Sequence, residues 1–307
     1  MRAARPHSRQ SRKFCNYLKM KILFSIVLLS IFNNTTTFDL NNDLSFEQQQ
    51  YANFLKHENF HLNTSNWGSA NAINITNLLD SVITEFYSNL DSGKINSLPV
   101  IVLNSLSRIP QIDYPMIIKE KYFTLIYLST RDRFWAQYSY QFSHELCHLV
   151  IDTDFPPENS SFQWLEETLC ELASLYTLNR MSITWQTNPP YPNWADYSYS
   201  LRDYVDNTIS MPENNITELF YVWLANNLPD LYQDGYKRTE NRIIAIHLLP
   251  IFTMLPELWR IIHYIKDIVI TDNMTLEQYL YEWKRLIPPD LHLSFDIMTV
   301  FLVGKRM

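Results

Sequence analysis

The stretch "YQFSHELCHLV" at residues 140–150 places two histidines four residues apart, with a glutamate directly after the first. Positions i and i+4 share one face of an α-helix, about 6 Å apart along its axis, so His144 and His148 can point at a common centre. Glu145 lies beside that face, where its carboxylate can reach a water at this centre without binding a metal itself. The pattern HExxH therefore predicts a helix that supplies two metal ligands and a general base.

The residues around this motif predict two amphipathic helices, one carrying the motif and one following it in "SFQWLEETLCELASLYTLNRM" at residues 161–181. In each, apolar side chains recur at helical spacing along one face and polar side chains along another. The apolar faces are Trp135, Tyr138, Phe142, Leu146 and Leu149 in the first helix, and Leu165, Leu169, Leu172 and Tyr176 in the second. The polar faces are Gln137, Gln141, His144 and His148, then Gln163, Glu167, Glu171 and Ser174. Two dedicated polar faces between apolar surroundings predict a site lined by both helices.

A catalytic zinc needs a third protein ligand and an open position, and the chain offers two candidates for that ligand. Asp154 follows His148 by six residues, but this route needs a glycine where Ile151 stands, because the chain must turn sharply out of the helix. Glu167 is the other candidate, with eighteen residues between it and His148. Glu171 lies four residues further along, on the same helix face as Glu167.

The order of these residues resembles the gluzincin zinc metallopeptidases, whose pattern is HExxH, about eighteen residues, then a glutamate on a following helix. The stretch "WLEE" at residues 164–167 is similar to the W-L-N-E of the aminopeptidase branch, with Glu166 in place of asparagine. The G-x-M-E-N motif of that branch is absent, as are the glycine-rich motifs of thermolysin proper. The resemblance covers residues 140–175 and implies a divergent member of the group.

The resemblance implies a role for each matched residue. His144, His148 and Glu167 hold one Zn²⁺ per chain, and Glu145 is the general base that activates a water on that zinc for hydrolysis of a peptide bond. Glu171 accepts a hydrogen bond from the distal nitrogen of His144 and fixes its tautomer. The implied partner is a peptide or protein substrate, and the implied fold is zincin-like.

Peptidases of this kind also use a hydrogen-bond donor for the oxyanion and an edge strand that pairs with the substrate. Tyr236, in "DGYKRTEN", is the candidate donor, and His247 is the second choice. The stretch "TLIYLST" at residues 124–130 is the candidate strand, on the strength of the resemblance.

Three further residues near the motif, Glu166, Cys147 and Cys170, each have more than one interpretation. Glu166 lies about 100° around the helix from Glu167, where it is either solvated or in contact with a substrate amine. Cys147 and Cys170 each follow a candidate ligand by three residues. They either pack in the core, form a bridge between the two helices, or contribute a thiolate to the metal.

The remaining pattern predicts an α+β, mainly helical fold with a small sheet before the motif. Short apolar runs at 98–104, 114–118 and 122–130 predict strands, whereas Ser45-x-x-Gln48 and residues 74–90 predict helices, the first reaching about Leu62. A helix after Thr130 as N-cap carries the motif. We expect a zincin-like catalytic part at 44–180 and an all-helical part at 181–307, with helices at 194–210, 215–228, 239–268 (with candidate breaks at Pro250 and Pro256) and 275–287.

Residues 1–43 have the pattern of a targeting segment. An apolar run, Ile22–Phe32, follows a basic region that contains Arg2, Arg5, Arg9, Arg12, Lys13, Lys19 and Lys21. This pattern predicts a secretory signal, with Met1 or Met20 as the start. Since no A-x-A cleavage site follows, retention as a membrane anchor through residues 22–32 is the alternative. We therefore expect an exported protein, secreted or periplasmic.

Composition excludes two classes of function. The 307 residues include only 4 glycines and no G-x-G, which excludes glycine-rich phosphate loops and dinucleotide sites. The net charge of −7, without a basic block after the leader, argues against a nucleic-acid partner. The alternative to an enzyme is a catalytically silent zinc-containing binding protein or a surface-anchored interaction protein. Such degenerate sites usually lose the glutamate of HExxH or a ligand, and here none is missing.

Overall fold

The computed structural model describes residues 54–90, 98–153 and 161–305 and has the expected α+β, mainly helical architecture. Five strands are β1 Phe54–Lys56, β2 His61–Asn63, β3 Val100–Asn104, β4 Met116–Lys119 and β5 Thr124–Leu128. The helices that flank and follow them are α1 Ala72–Tyr87, α2 Trp135–Ile151, α3 Gln163–Thr184, α4 Tyr197–Ile209, α5 Phe220–Gln233, α6 Arg238–Met254, α7 Leu276–Leu286 and α8 His292–Val303.

The five strands form one mixed sheet in the order β1-β2-β3-β5-β4. β3 is parallel to both β2 and β5, and the two outer strands, β1 and β4, are antiparallel to their neighbours. Alternate residues of β3 enter two apolar layers: Val100 and Val102 join the main core, whereas Ile101 and Leu103 pack on the other face. A strand buried on both faces explains the continuous apolar run that predicted it.

The predicted helix from Ser45 to about Leu62 is wrong for residues 54–62, which are the part of it that the structure describes. Residues 54–63 form the antiparallel pair β1 and β2, closed by a hydrogen bond from the His57 N–H to the Phe60 carbonyl at 2.9 Å. β2 also pairs with β3, and this long-range pairing decides the local structure against a weak helical preference. The capping box itself and residues 1–43, with the predicted signal or anchor, lie outside the described residues.

The N-cap of helix α2 lies four residues later than predicted. Phe134 precedes its first residue, and Thr130 instead donates a hydrogen bond to the side chain of Gln137 at 3.3 Å. The helix ends at Ile151, and Asp152 takes a left-handed conformation with φ of 56°. The chain therefore leaves the helix directly after the motif, while Asp154 lies outside the described residues.

The predicted apolar faces of α2 and α3 are both buried, and the two helices pack against each other. α3 is also packed against α4 and α6, so it lies at the centre of the helical layer. In α6, Pro250 is accommodated within the helix, whereas the chain continues after Pro256 as a 3₁₀ helix, Pro256–Asp267. α8 was not delimited by the sequence pattern.

One apolar core extends through most of the described chain. It includes residues of the sheet and α1 together with Trp259, Tyr279 and Phe295 from the C-terminal part. The predicted division at residue 180 falls inside α3, which runs to Thr184. Of the helices that the described ranges contain, none combines the length and the apolar character of a membrane span.

Candidate metal centre and active site

The structure brings the three predicted ligands together at the meeting of α2 and α3. Nε2 of His144 lies 3.5 Å from one carboxylate oxygen of Glu167, and Nε2 of His148 lies 3.7 Å from the other. Two atoms that each bind a tetrahedral zinc at about 2.1 Å are about 3.4 Å apart. Each imidazole nitrogen therefore lies at about this spacing from one oxygen of Glu167, with a different oxygen of the carboxylate facing each histidine, and all three side chains are partly exposed.

Glu166 orients His148, a role that the sequence did not reveal. Its Oε1 lies 2.7 Å from Nδ1 of His148, and because a carboxylate only accepts, Nδ1 donates this bond. Its other oxygen accepts a hydrogen bond from the hydroxyl of Thr153. Glu166 is buried rather than solvated. This carboxylate leaves Nε2 of His148 as the nitrogen that can bind a metal.

Glu171 lies on the expected side of His144, with a different main partner. Its carboxylate is 4.0 Å from Nδ1 of His144, which exceeds a hydrogen-bond distance. The Nε of Arg242 donates to it at 2.8 Å, and the hydroxyl of Tyr140 donates to the same oxygen. Glu171 therefore joins α2, α3 and α6 behind the first histidine, and its contact with His144 is electrostatic.

Glu145 is a buried carboxylate at the floor of the site, 3% exposed. Burial raises its pKa, against the opposing effects of His144, His148 and a hydrogen bond from the backbone N–H of Ile117 in β4. A carboxylate with a raised pKa and one fixed donor is suited to accept a proton and pass it on.

The three glutamates give the site an excess of negative charge. Burial alone would lower the pKa of His148, but its hydrogen bond to Glu166 and the charges of Glu167, Glu166 and Glu145 raise that pKa to about 10. Burial alone would likewise raise the pKa of Glu167, but the neighbouring imidazoles lower it. Because the carboxylates outnumber the imidazoles, the site favours a bound cation.

Cys170 also lies close to the two histidines. Its Sγ and one ring nitrogen each of His144 and His148 lie within 4.8 Å of one another, so a thiolate is a possible donor by distance alone. Both Cys147 and Cys170 are free thiols and fully buried. Burial raises the pKa of Cys170, and it also hydrogen-bonds with Cys147. Glu167 is ionised and reaches the site from the cleft side, so it is the better third ligand.

An open cleft passes over the site and widens into two cavities that share the residues at its centre. Cavity A, of about 360 Å³, lies beside the first histidine, and cavity B, of about 640 Å³, lies beside the second. His144, Glu167 and Tyr236 line both. Further walls are formed in cavity A by Gln137, Gln141, Tyr204 and Arg238, and in cavity B by Ile117, Lys119, Glu145 and His148.

The strand beside the cleft is β4, not the expected "TLIYLST". That segment forms β5, which is hydrogen-bonded to β3 on one side and β4 on the other. The outer position belongs to β4, from the "YPMII" stretch, because this segment folds back antiparallel onto β5. Met116, Ile117 and Lys119 of β4 line cavity B.

The two candidate oxyanion donors are placed differently. Tyr236 borders both cavities, 67% exposed, and its hydroxyl accepts a hydrogen bond from Nε2 of Gln163 at 2.5 Å. Gln163 also hydrogen-bonds to Glu167, which connects Tyr236 to a candidate metal ligand. His247 stacks on Phe220 and bonds to the Ile243 carbonyl, and it lines neither cavity, so it is wrong as an oxyanion donor.

Comparison with known proteins adds no relative to this description. Protein-family models, curated proteins and solved structures were each searched with this chain, and none matches. The function must therefore be inferred from the residues of the site.

Proposed function

We propose that this protein is a zinc-dependent peptidase of gluzincin type. The observation that carries the proposal is the approach of His144 Nε2 and His148 Nε2 to the two oxygens of Glu167, at 3.5 and 3.7 Å, beside an open cleft. These three residues would hold one zinc ion and leave the cleft side of the site to water and substrate.

Zinc bound at such a site acts as a Lewis acid that polarises a carbonyl and makes a water more acidic. Glu145 takes the proton of the attacking water, while the N–H of Ile117 keeps its carboxylate in place. When the C–N bond breaks, Glu145 delivers that proton to the departing amine, so the products are a carboxylic acid and an amine. The phenol of Tyr236, at the border of the two cavities, is the donor available to the developing oxyanion.

The cleft supports a peptide as the substrate. β4 is the outer strand of the sheet, so its outward backbone groups, apart from the Ile117 N–H that binds Glu145, can pair with an extended chain. Its Ile117 also contacts Glu145, which places such a chain beside the group that moves the proton. An apolar or charged small molecule would not form such a row of backbone hydrogen bonds with this strand. Export, predicted from residues 1–43, would place these substrates outside the cytoplasm.

Removal and return of the metal test the proposal. Purified protein treated with a chelator and then dialysed should lose hydrolysis of a denatured protein substrate such as casein, and added Zn²⁺ should restore it. Hydrolysis that persists in the metal-free protein would contradict the proposal. Zinc binding without any hydrolysis by the wild-type chain would instead support a catalytically silent zinc-containing protein.

A further inference from the structure

Cavity A carries a cation that the catalytic machinery does not use. Arg238, the first residue of α6, lines the cavity and is exposed, and no carboxylate in the described ranges lies within ion-pair distance of it. Arg242, one turn further along the same helix, is instead paired with Glu171 at 2.8 Å. The negative charge of Glu171 is thus already neutralised, whereas the positive charge of Arg238 faces the cavity. Two further carboxylates line the cavity, the exposed Asp113 and Glu167, which the proposed zinc would engage.

Two uncharged side chains that line cavity A with Arg238, Gln137 and Tyr204, offer hydrogen-bond donors to a ligand. Gln137 accepts from Thr130 through Oε1, so its amide N–H groups remain available. Gln141 is engaged at both ends by Ser129. The Tyr204 hydroxyl also borders the cavity, with no hydrogen-bond partner among the residues at 54–90, 98–153 and 161–305. A ligand rich in acceptors, such as a carboxylate, matches these donors.

The direction of the substrate decides which residue enters cavity A. An extended peptide that joins β4 in the more stable antiparallel sense runs opposite to β4. Lys119, at the end of β4, lines cavity B, whereas Asp113, which precedes β4, lines cavity A. The N-terminal side of the substrate therefore lies over cavity B, and the C-terminal side over cavity A.

We infer that cavity A is a subsite for a substrate carboxylate, bound by Arg238 on the C-terminal side of the scissile bond. The inference rests on the proposed peptidase function and names its substrate class. The carboxylate comes either from an acidic side chain after the cleaved bond or from the C-terminus of the peptide. The first source makes an enzyme selective for acidic residues, and the second an enzyme that trims chain ends.

Binding to an inactive, zinc-loaded protein tests the subsite without relying on hydrolysis. Glu145→Gln would be titrated with fluorescent alanine-rich octapeptides, amidated at the C-terminus, that carry one glutamate or one glutamine at each position in turn. The all-alanine octapeptide would be compared as free acid and as amide. Fluorescence anisotropy gives Kd for Glu145→Gln, for the same protein with Arg238→Gln, and for the same protein with Arg285→Gln, an exposed arginine of α7 outside the cleft.

We expect at least one carboxylate, internal or terminal, to tighten binding about tenfold over its neutral counterpart, as for a charged hydrogen bond. Arg238→Gln should remove this difference, and Arg285→Gln should keep it. Equal Kd values for acidic and neutral peptides, or a preference that survives Arg238→Gln, would overturn the inference. The two proposals can fail separately. If the wild-type chain hydrolyses no peptide but the Arg238-dependent preference for carboxylates is present, the peptidase proposal is wrong and the carboxylate subsite is supported.

Discussion

Glu166 and Glu167 are neighbours in α3, but their carboxylates have different partners. Glu167 faces the cleft and reaches Nε2 of both histidines, whereas Glu166 turns inward to Nδ1 of His148 and the hydroxyl of Thr153. The roughly 100° between neighbouring helix positions allows one helix to supply both a proposed ligand, Glu167, and the group that orients another proposed ligand, His148. The negative charge that Glu166 places beside His148 should strengthen the binding of a cation by His148.

Replacing Glu166 by alanine should therefore weaken zinc binding by about 10- to 100-fold, with a smaller loss for Glu166→Gln, which keeps an acceptor for Nδ1. Competition with a chromophoric zinc chelator measures the change. Glu213→Gln, an exposed glutamate far along the chain, serves as the control. An unchanged zinc Kd in Glu166→Ala would remove Glu166 from the site.

At this scale, the sequence was informative where the chemistry is local and silent where it is not. The spacing of His144, Glu145 and His148 is fixed by one helix turn, so the motif predicts their geometry. The partners of Glu166 and Glu171 depend on distant segments: Thr153 follows the end of α2, and Arg242 lies 71 residues after Glu171. No spacing rule connects such residues.

Arg242 and Glu171 hold three helices together. The pair joins α6 to α3, and Tyr140 adds α2 through the same carboxylate. The two charged side chains are 13% and 5% exposed, so each compensates the other away from water. Removing one partner of such a buried pair leaves an uncompensated charge, which costs far more than the loss of a surface pair.

Arg242→Gln should lower the free energy of unfolding by about 3–5 kcal/mol. Arg202→Gln, which breaks the exposed pair with Asp206 at 3.1 Å, should lower it by less than about 1 kcal/mol. Urea denaturation followed by circular dichroism measures both. Similar losses in the two variants would mean that the buried pair does not stabilise the helix packing.

Helices α2 and α3 agree with their prediction because their signal is periodic. Both faces of α2 and α3 follow the apolar and polar stripes of the sequence, since a 3.6-residue period is visible within one segment. Strand identity was also readable for β3 and β5, but the edge position of β4 was not. Which strand lies outermost is decided by pairing between distant segments, and the β1–β2 hairpin was missed for the same reason.

The whole molecule is organised around α3. This helix crosses the predicted division at residue 180 and packs against α2, α4 and α6. Its buried side chains share one core with Trp259, Tyr279 and Phe295 of the C-terminal part. The sequence pattern predicted the fold class, because strands and helices can be recognised one segment at a time. It did not predict the shared core, because the contacts of that core join residues far apart in the chain.

We expect this shared core to make the chain from residue 54 onward unfold as one cooperative unit. Tryptophan fluorescence and far-ultraviolet circular dichroism should give coincident urea transitions, because three of the 8 tryptophans precede residue 180 and five follow it. A fragment that ends at residue 184 should show no cooperative transition. Two separate transitions, or a stable fragment, would show that the parts before and after residue 180 fold independently.

The most direct measurement of the central claim is the zinc content and casein hydrolysis of four proteins: wild type, Glu145→Gln, Glu167→Ala and Cys170→Ser. We predict about one zinc per chain in the wild type, in Glu145→Gln and in Cys170→Ser, and loss of zinc in Glu167→Ala. Hydrolysis should be lost in both glutamate variants. Full zinc in Glu167→Ala, or zinc lost from Cys170→Ser, would contradict the ligand set, and undiminished hydrolysis by Glu145→Gln would contradict the mechanism.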